Sequence, residues 1–356
     1  MEKEYNRNGG LTLVPLPGFI DLAAQIKELI EKLTGPKRHP TKVDIAIPEF
    51  GERASGEPYV RLSKDHIVDH DCVVITSGPG TYKMLVQLQL ALAYLVGRRA
   101  GRIAAVTNYL PLTRSDKDEG EYELALISMI INLIESAASG KLDRIIAVDL
   151  HAAQEVTVGS KPGFITEVSL VRPILQKVIT DIKTADRDAK ICILFPDEGS
   201  QKRFEAAVEK TLKQFNLEAT FICGQKRRAS SHASKTIGIS GDLASIKDAY
   251  VIGLDDEIAT GGTNDSIARI IKNMHGAKAY YAATVHGVLC GNAPIILANP
   301  ECGIDCIYVT DTIPVKTRTE LEPLIQSGRL IVVPWAEELA EIIYRHHWGE
   351  SIRSIR

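Results

Sequence analysis

Two periodicities alternate along the chain. Short runs are mostly apolar throughout rather than alternating: 42–48 (KVDIAIP), 72–76 (CVVIT), 102–109 (RIAAVTNY), 144–150 (RIIAVDL) and 190–196 (KICILFP). The pattern continues at 219–223 (ATFIC), 249–256 (AYVIGLDD), 278–287 (KAYYAATVHG) and 306–312 (CIYVTDT). Runs without polar alternation suit strands buried on both faces. Between them the spacing lengthens to that of a helix, as in Leu85, Leu88, Leu92 and Leu95, or Ile267, Ile270, Ile271 and Met274. Strand–helix alternation predicts an α/β fold with mostly parallel sheets and helices on both faces. Ligand sites in such sheets lie beyond the carboxyl ends of the strands, so the residues after each run carry the chemistry.

Length and composition narrow the setting. At 356 residues the chain is expected to form two domains, each half holding several strand–helix units. The Gly- and Pro-containing stretch VGSKPGF marks the boundary, giving expected domains 10–163 and 164–325 and a helical segment 326–356 packing back on the first. Hydrophobic residues make up 45% and charged residues 24%, with a net charge of −3. That balance offers no general nucleic-acid or membrane surface. The polar start MEKEYNRNGG lacks the apolar core of a signal peptide, and no apolar run reaches the length of a membrane span. The six cysteines are scattered; only Cys302 and Cys306 are close, with no second pair at zinc spacing. Buried thiols in a reducing cytoplasm are the expectation.

The richest strand end is VIGLDDEIATGGTNDSIARIIKNM, residues 251–274. Asp255 and Asp256 stand at the carboxyl end of a buried strand, where paired carboxylates can accept from two ribose hydroxyls or hold magnesium through water. Thr260, Gly261, Gly262 and Thr263 form a turn whose amides and hydroxyls can cradle an anion. The helix expected from about Asn264 turns its positive end to that anion. The bland alternative is a glycine turn beside two solvated aspartates.

Other strand ends add candidates, each with a structural alternative. Asp149 and His151 in VDLHAAQ point to one side if the strand runs that far, and can coordinate a divalent metal; a structural histidine is the alternative. Asp197 in FPDEGSQKR is a metal or sugar ligand, or a helix N-cap. Lys226 and Arg228 in GQKRRASSHASK suggest a mobile cationic loop that closes over a transferring phosphoryl group, or an exposed basic loop. Arg114 in NYLPLTRSDKDEGEYE can reach a triphosphate or stack on adenine, or lie in a solvated loop.

In this order the segments resemble the ribose-phosphate diphosphokinase (phosphoribosyl-diphosphate synthase) family from about residue 40 onward. VDLHAAQ is the most specific match, joined by PDEGSQKR, KRR, DDEIATGGT, TVHGVL, VTDTIP and HHWGESI. The resemblance implies two similar domains of the type I phosphoribosyltransferase fold, in a cytoplasmic homo-oligomer, hexamer or dimer. It implies diphosphate transfer from Mg-ATP to the 1-hydroxyl of ribose 5-phosphate, releasing AMP. Carried over by position, Lys226 and Arg228 are catalytic, and His151, Asp197 and Asp149 hold Mg2+. Asp255, Asp256 and the Ala259–Thr263 loop bind ribose phosphate, while Ser55, Gly56, Glu57, Arg114 and Ser115 lie along the ATP. No nucleic acid or membrane partner is implied.

The departures cluster where the nucleotide is expected. Arg53 and Ser55 replace the Phe and Asp of the family's Phe-x-Asp-Gly-Glu. Arg114-Ser115-Asp116-Lys117-Asp118 replaces its Arg-Gln-Asp-Arg-Lys, reversing the last charge. Ala259 stands for an Asp, and KPGFITEV for Gly-Phe-Phe-Asp-Ile-Pro. These changes leave open a larger acceptor such as ADP-ribose, a regulatory synthase-associated subunit without turnover, or a phosphoribosyltransferase.

Overall fold

Each of these apolar runs contains a strand in the computed structural model, which describes residues 9–352 apart from 36–37, 65, 119–121, 231–232 and 316. Within 225–230 and 233–237 it describes the backbone alone. The chain divides into two compact units, Met1–Val168 with Trp335–Arg356, and Ser169–Pro334.

The first unit opens with β1 (Leu11–Pro15), α1 (Ile20–Lys32) and β2 (Val43–Ile45). The run at 42–48 is thus shorter as a strand than expected; Pro48 opens a separate hairpin, β3 (Pro48–Glu52) and β4 (Pro58–Leu62). There follow β5 (Asp71–Thr76), α2 (Tyr82–Gly97), β6 (Arg102–Thr107), α3 (Ile127–Ala137), β7 (Leu142–Val148) and β8 (Ile165–Val168). Six strands pair in the order β2-β1-β5-β6-β7-β8, all parallel. Their side chains, with Leu88, Leu92 and Leu95 of α2 and Ile127, Ile130, Ile131 and Ile134 of α3, form one core.

The second unit comprises α4 (Val171–Ala185), β9 (Ile191–Phe195), α5 (Glu198–Gln214), β10 (Thr220–Ser230) and β11 (Ala233–Gly241). It continues through β12 (Tyr250–Ile258), α6 (Gly262–His275), β13 (Ala279–Gly287), α7 (Ala293–Ala298), β14 (Cys306–Thr310), α8 (Glu322–Gln326) and β15 (Leu330–Val333). Its sheet runs β11-β10-β9-β12-β13-β14-β15, parallel except for β10 with β11. Set β3, β4 and β11 aside and both sheets have the same order: second strand, first, third, fourth, fifth, sixth. In both, extra hairpin strands come directly after the second strand, β3–β4 after β2 in one unit and β11 after β10 in the other. The expected duplication is therefore visible in connectivity.

Two boundaries differ from the sequence reading. The first sheet needs β8, so the division falls after Val168 rather than Pro162-Gly163. The stretch from 326 is not all helical, since β15 is the edge strand of the second sheet. Only α9 (Ala336–Trp348) returns to the first unit, where it packs on α1.

A buried ion cluster anchors α9. Asp71, fully buried at the start of β5, accepts from Nε (3.1 Å) and Nη2 of Arg102 and lies 2.9 Å from His347 Nδ1. Arg102 Nη2 also donates to the His346 carbonyl at 2.8 Å. Burial pushes the Asp71 carboxyl up, but hydrogen bonds from His347 and Arg102 outweigh it and leave it below the usual carboxylate range. Trp348 Nε1 donates to Thr41 Oγ1 (2.8 Å), and its ring stacks on His39 at 4.1 Å. None of the six cysteines forms a disulfide; five are buried and Cys290 is exposed. Among the described residues, no helix is long and apolar enough to cross a membrane.

Candidate active site

Strand order in the second unit places several predicted residues on one edge. β12 lies between β9 and β13, and β9 between β10 and β12, so the segments leaving β10, β9 and β12 emerge side by side. Between β9 and β12 the sheet's order reverses, the usual crevice for a ligand in such folds. β12 runs two residues beyond the expected Asp256, to Ile258, which puts the acid pair in its last turns of pleat rather than after it. Asp255 is half-buried and Asp256 buried. The Asp256 N–H donates to Asp255 Oδ1 at 2.9 Å, and Arg203 Nη2 of α5 lies 3.7 Å from Asp256 Oδ2. Arg203 thereby ties the PDEGSQKR segment to the acid pair, a link that sequence spacing does not reveal.

The turn behind the acids is built for close backbone approach. Gly261 has φ of 77°, and a Cβ there would lie 2.8 Å from Leu297 Cδ2 of α7, so a side chain is excluded twice over. α6 starts at Gly262, two residues earlier than expected, bringing its unpaired amides into the Thr260–Thr263 turn. The turn is braced from the loop after β13, where the N–H of Leu289 donates to the Ile258 carbonyl and that of Cys290 to the Ala259 carbonyl, both at 2.9 Å.

Asp197 makes the helix-capping contact that was its structural alternative, through Oδ1. Its carboxylate accepts from the Ser200 N–H at 2.9 Å and caps α5. The Lys226 and Arg228 segment is not an irregular loop: its backbone is the outer part of β10, paired antiparallel with β11. β9 ends at Phe195 opposite Cys223, so Gly224 to Ser230 project past the carboxyl edge of the sheet. The side chains of Lys226 and Arg228 lie outside the described residues.

In the first unit the loops after β6 and β7 are neighbours. β7 ends at Val148, so the strand does not run as far as Asp149 and His151, and the condition for their sharing its face is not met. Asp149 instead has φ of 33° and is buried. The two loops are laced together by Glu155 and Thr113, neither of which was singled out in the sequence. The Thr113 hydroxyl contacts both Glu155 carboxylate oxygens (2.9 and 2.8 Å) and accepts from the His151 N–H at 3.2 Å. Glu155 Oε1 also accepts from the Ala152 N–H (3.2 Å), and Gln154 Nε2 donates to Asp116 Oδ2 (3.2 Å). Arg114 is exposed beside this knot. Ser115 is engaged within its own loop, accepting from Leu126 N–H at 3.0 Å and facing the Leu124 carbonyl at 3.3 Å.

Ser55, Gly56 and Glu57 form the exposed tip of the β3–β4 hairpin, which pairs with neither large sheet. Ser55 Oγ donates to Glu57 Oε2 at 2.9 Å, and Gly56 turns the chain at φ of 84°. Arg53 and Arg61 both face the Tyr59 ring, at 5.8 and 5.0 Å.

Relatives share this arrangement over most of their length. The ribose-phosphate pyrophosphokinase of Rhodopirellula baltica is 33% identical over 309 residues, 86% of this chain and 89% of the relative. The chain belongs to the ribose-phosphate pyrophosphokinase family. Ribose-phosphate pyrophosphokinase 2 of Schizosaccharomyces pombe is 27% identical over 311 residues, covering 86% of this chain and 88% of its own. Among solved structures, phosphoribosylpyrophosphate synthetase from Mycobacterium smegmatis superposes with a TM-score of 0.72 at 25% identity, covering 96% of this chain and 99% of that one. No protein-family model matches the chain.

For a ribose-phosphate pyrophosphokinase the donor set limits what metal can bind. Among the described residues no three His, Cys, Asp or Glu side chains gather as an all-protein cage. Magnesium takes one or two carboxylates and completes its shell with water and phosphate oxygens, so the carboxylates of Asp149 and Asp197 are donors of the kind it accepts.

Glu155 has its own pH signature. Complete burial pushes its carboxyl up to about 7, against the hydrogen bonds from Thr113 and the Ala152 N–H that pull it down. A carboxyl raised on folding contributes stability that is full below its unfolded value, near 4.5, and is lost as pH rises through about 7. Glu155→Gln cannot ionise and can keep the same partners. Between pH 4.5 and 8 the variant is expected to gain on the parent by up to about 3 kcal/mol in urea unfolding. A difference that stays flat with pH would mean that Glu155 titrates as it does in water.

Proposed function

We propose that this chain transfers diphosphate from Mg-ATP to the 1-hydroxyl of ribose 5-phosphate, giving phosphoribosyl diphosphate and AMP. The acceptor can also be a larger compound with the same end, such as ADP-ribose. The observation that carries the reading is the succession at the end of β12: acid pair, glycine turn, helix N-terminus. Asp255 and Asp256 supply acceptors for ribose hydroxyls, and the Ala259–Thr263 turn with the start of α6 supplies donors for the 5-phosphate.

The reaction then needs little covalent work from the protein. The acceptor oxygen attacks the β-phosphorus in line, the bond from that phosphorus to the AMP oxygen breaks, and the hydroxyl proton leaves to solvent. Lys226 and Arg228 stabilise the negative charge on the group in flight. Arg114 lies along the nucleotide phosphates, with Ser55, Gly56 and Glu57 at its other end; Ser115 acts by shaping that loop. Asp149 and His151 of the first unit and Asp197 of the second are the candidate donors for magnesium, which when bound would neutralise phosphate charge. Positioning and electrostatics provide most of the acceleration. The same reading makes the protein a cytoplasmic homo-oligomer, a hexamer or a dimer.

One observation favours a second reading. Arg53 and Ser55 stand where the family's pattern has Phe and Asp, which suits a regulatory subunit without turnover. The test is AMP release from Mg-ATP with ribose 5-phosphate and, separately, ADP-ribose. AMP formation dependent on one acceptor is expected. No AMP with either, together with co-purification on an active synthase, would favour the regulatory subunit.

A further inference from the structure

We infer that Glu155 is a positioning residue: through Thr113 it locks the loop that carries Arg114 to the loop that carries His151, so that the nucleotide and metal ends of the site move as one piece. The inference rests on the diphosphate-transfer reading and deepens it.

The geometry is unusual for a structural acid. Glu155 is fully buried and Thr113 is 2% exposed, although both sit at the carboxyl edge of the sheet where loops are normally solvated. A buried carboxyl costs folding free energy unless its partners are specific. Here both oxygens meet one hydroxyl, and Oε1 also accepts the Ala152 N–H. The same hydroxyl oxygen accepts the N–H of His151. Arg114 follows Thr113 directly, and His151 precedes Ala152. One carboxyl and one hydroxyl therefore determine the backbone at both candidate ligand residues. The Gln154–Asp116 hydrogen bond is a second, outer tie between the same loops.

An apolar pair would fill this space as well and would need no partners, since replacing both members of a buried polar pair is often nearly neutral. What it cannot do is hold two neighbouring loops in register. Groups that orient a ligating or substrate-binding residue commonly matter about 10- to 100-fold in affinity or activity.

The test uses the full chain with Thr113→Val and Glu155→Leu combined. The amides of His151 and Ala152 belong to half-buried residues that water can reach, so the double variant is expected to fold. Hydrogen exchange should rise in the segments 111–118 and 149–155. The KM for Mg-ATP should rise, or kcat fall, by about 10-fold or more, while the KM for ribose 5-phosphate stays within about twofold. Glu155→Gln alone, which can keep the hydrogen bonds, should restore most of both. Parental exchange, or raised exchange with parental kinetics, overturns the inference; so does an equal loss for both substrates. If the double variant does not fold, Thr113→Val with Glu155→Gln is read by the same two measurements, since Gln keeps the Ala152 N–H satisfied while the link to His151 is gone. A parent chain that releases no AMP overturns the transfer reading itself, an outcome read before any variant is compared.

Discussion

Lys226→Ala is expected to slow AMP release by on the order of 10²- to 10³-fold while leaving the KM for either substrate within a few-fold. The asymmetry follows from where the charge matters. As the diphosphate leaves AMP, negative charge builds on oxygens that carried less of it in the bound ground state. A cation aimed at them therefore stabilises the transition state more than the Michaelis complex. The backbone supports the assignment: Lys226 lies on the part of β10 that runs past the end of β9, on the same edge as the β12 acid pair. Initial rates with each substrate varied check the prediction. Unchanged turnover would mean that the cationic arm has been assigned wrongly and that Arg228 or the metal carries the load alone.

The largest effect on stability is expected at the opposite edge of the first sheet. Asp71→Ala removes the carboxylate that receives Arg102 and His347, all within the contact between α9 and the amino ends of β5 and β6. Breaking a buried pair from one side strands the other charge, which costs about 3–5 kcal/mol. Arg38→Ala cuts a partly buried pair with Glu341 and should cost less, about 1 kcal/mol. The chain's two tryptophans, Trp335 and Trp348, flank α9, so intrinsic fluorescence during urea unfolding reports its docking directly. Because Asp71 begins its strand and the candidate site lies beyond strand ends, the folded fraction of the variant should keep near-parental kinetics. A loss of stability no larger than that of Arg38→Ala would show that Arg102 finds other partners when Asp71 is gone.

Where one segment forms strand, turn and helix in succession, the sequence could be read directly. The run 249–258 with its glycine turn and helix is an example: burial on both faces makes the strand apolar, the acids follow it, and the glycines mark the tight approach at φ of 77°. Strands that escaped are short or mixed. β15 has four residues, β1 ends in Pro15, and the β3–β4 hairpin (PEFGE and PYVRL) mixes proline, glycine and charged residues with apolar ones, since it pairs with neither sheet and packs on the first core through Phe50 and Leu62. Asp197 shows the limit for single residues, since an N-cap and a metal ligand look alike in sequence.

The chain by itself determined its α/β class, the repeated strand–helix rhythm and the glycine turn at Thr260–Thr263, because each is encoded by residues a few positions apart. Only the tertiary structure decided that Glu155 meets Thr113, that Arg203 faces Asp256 and that Asp71 receives His347. Those partners are 42, 53 and 276 residues apart along the chain. Parallel sheet order brings strand ends together irrespective of that separation, and no local pattern records which ends will be neighbours.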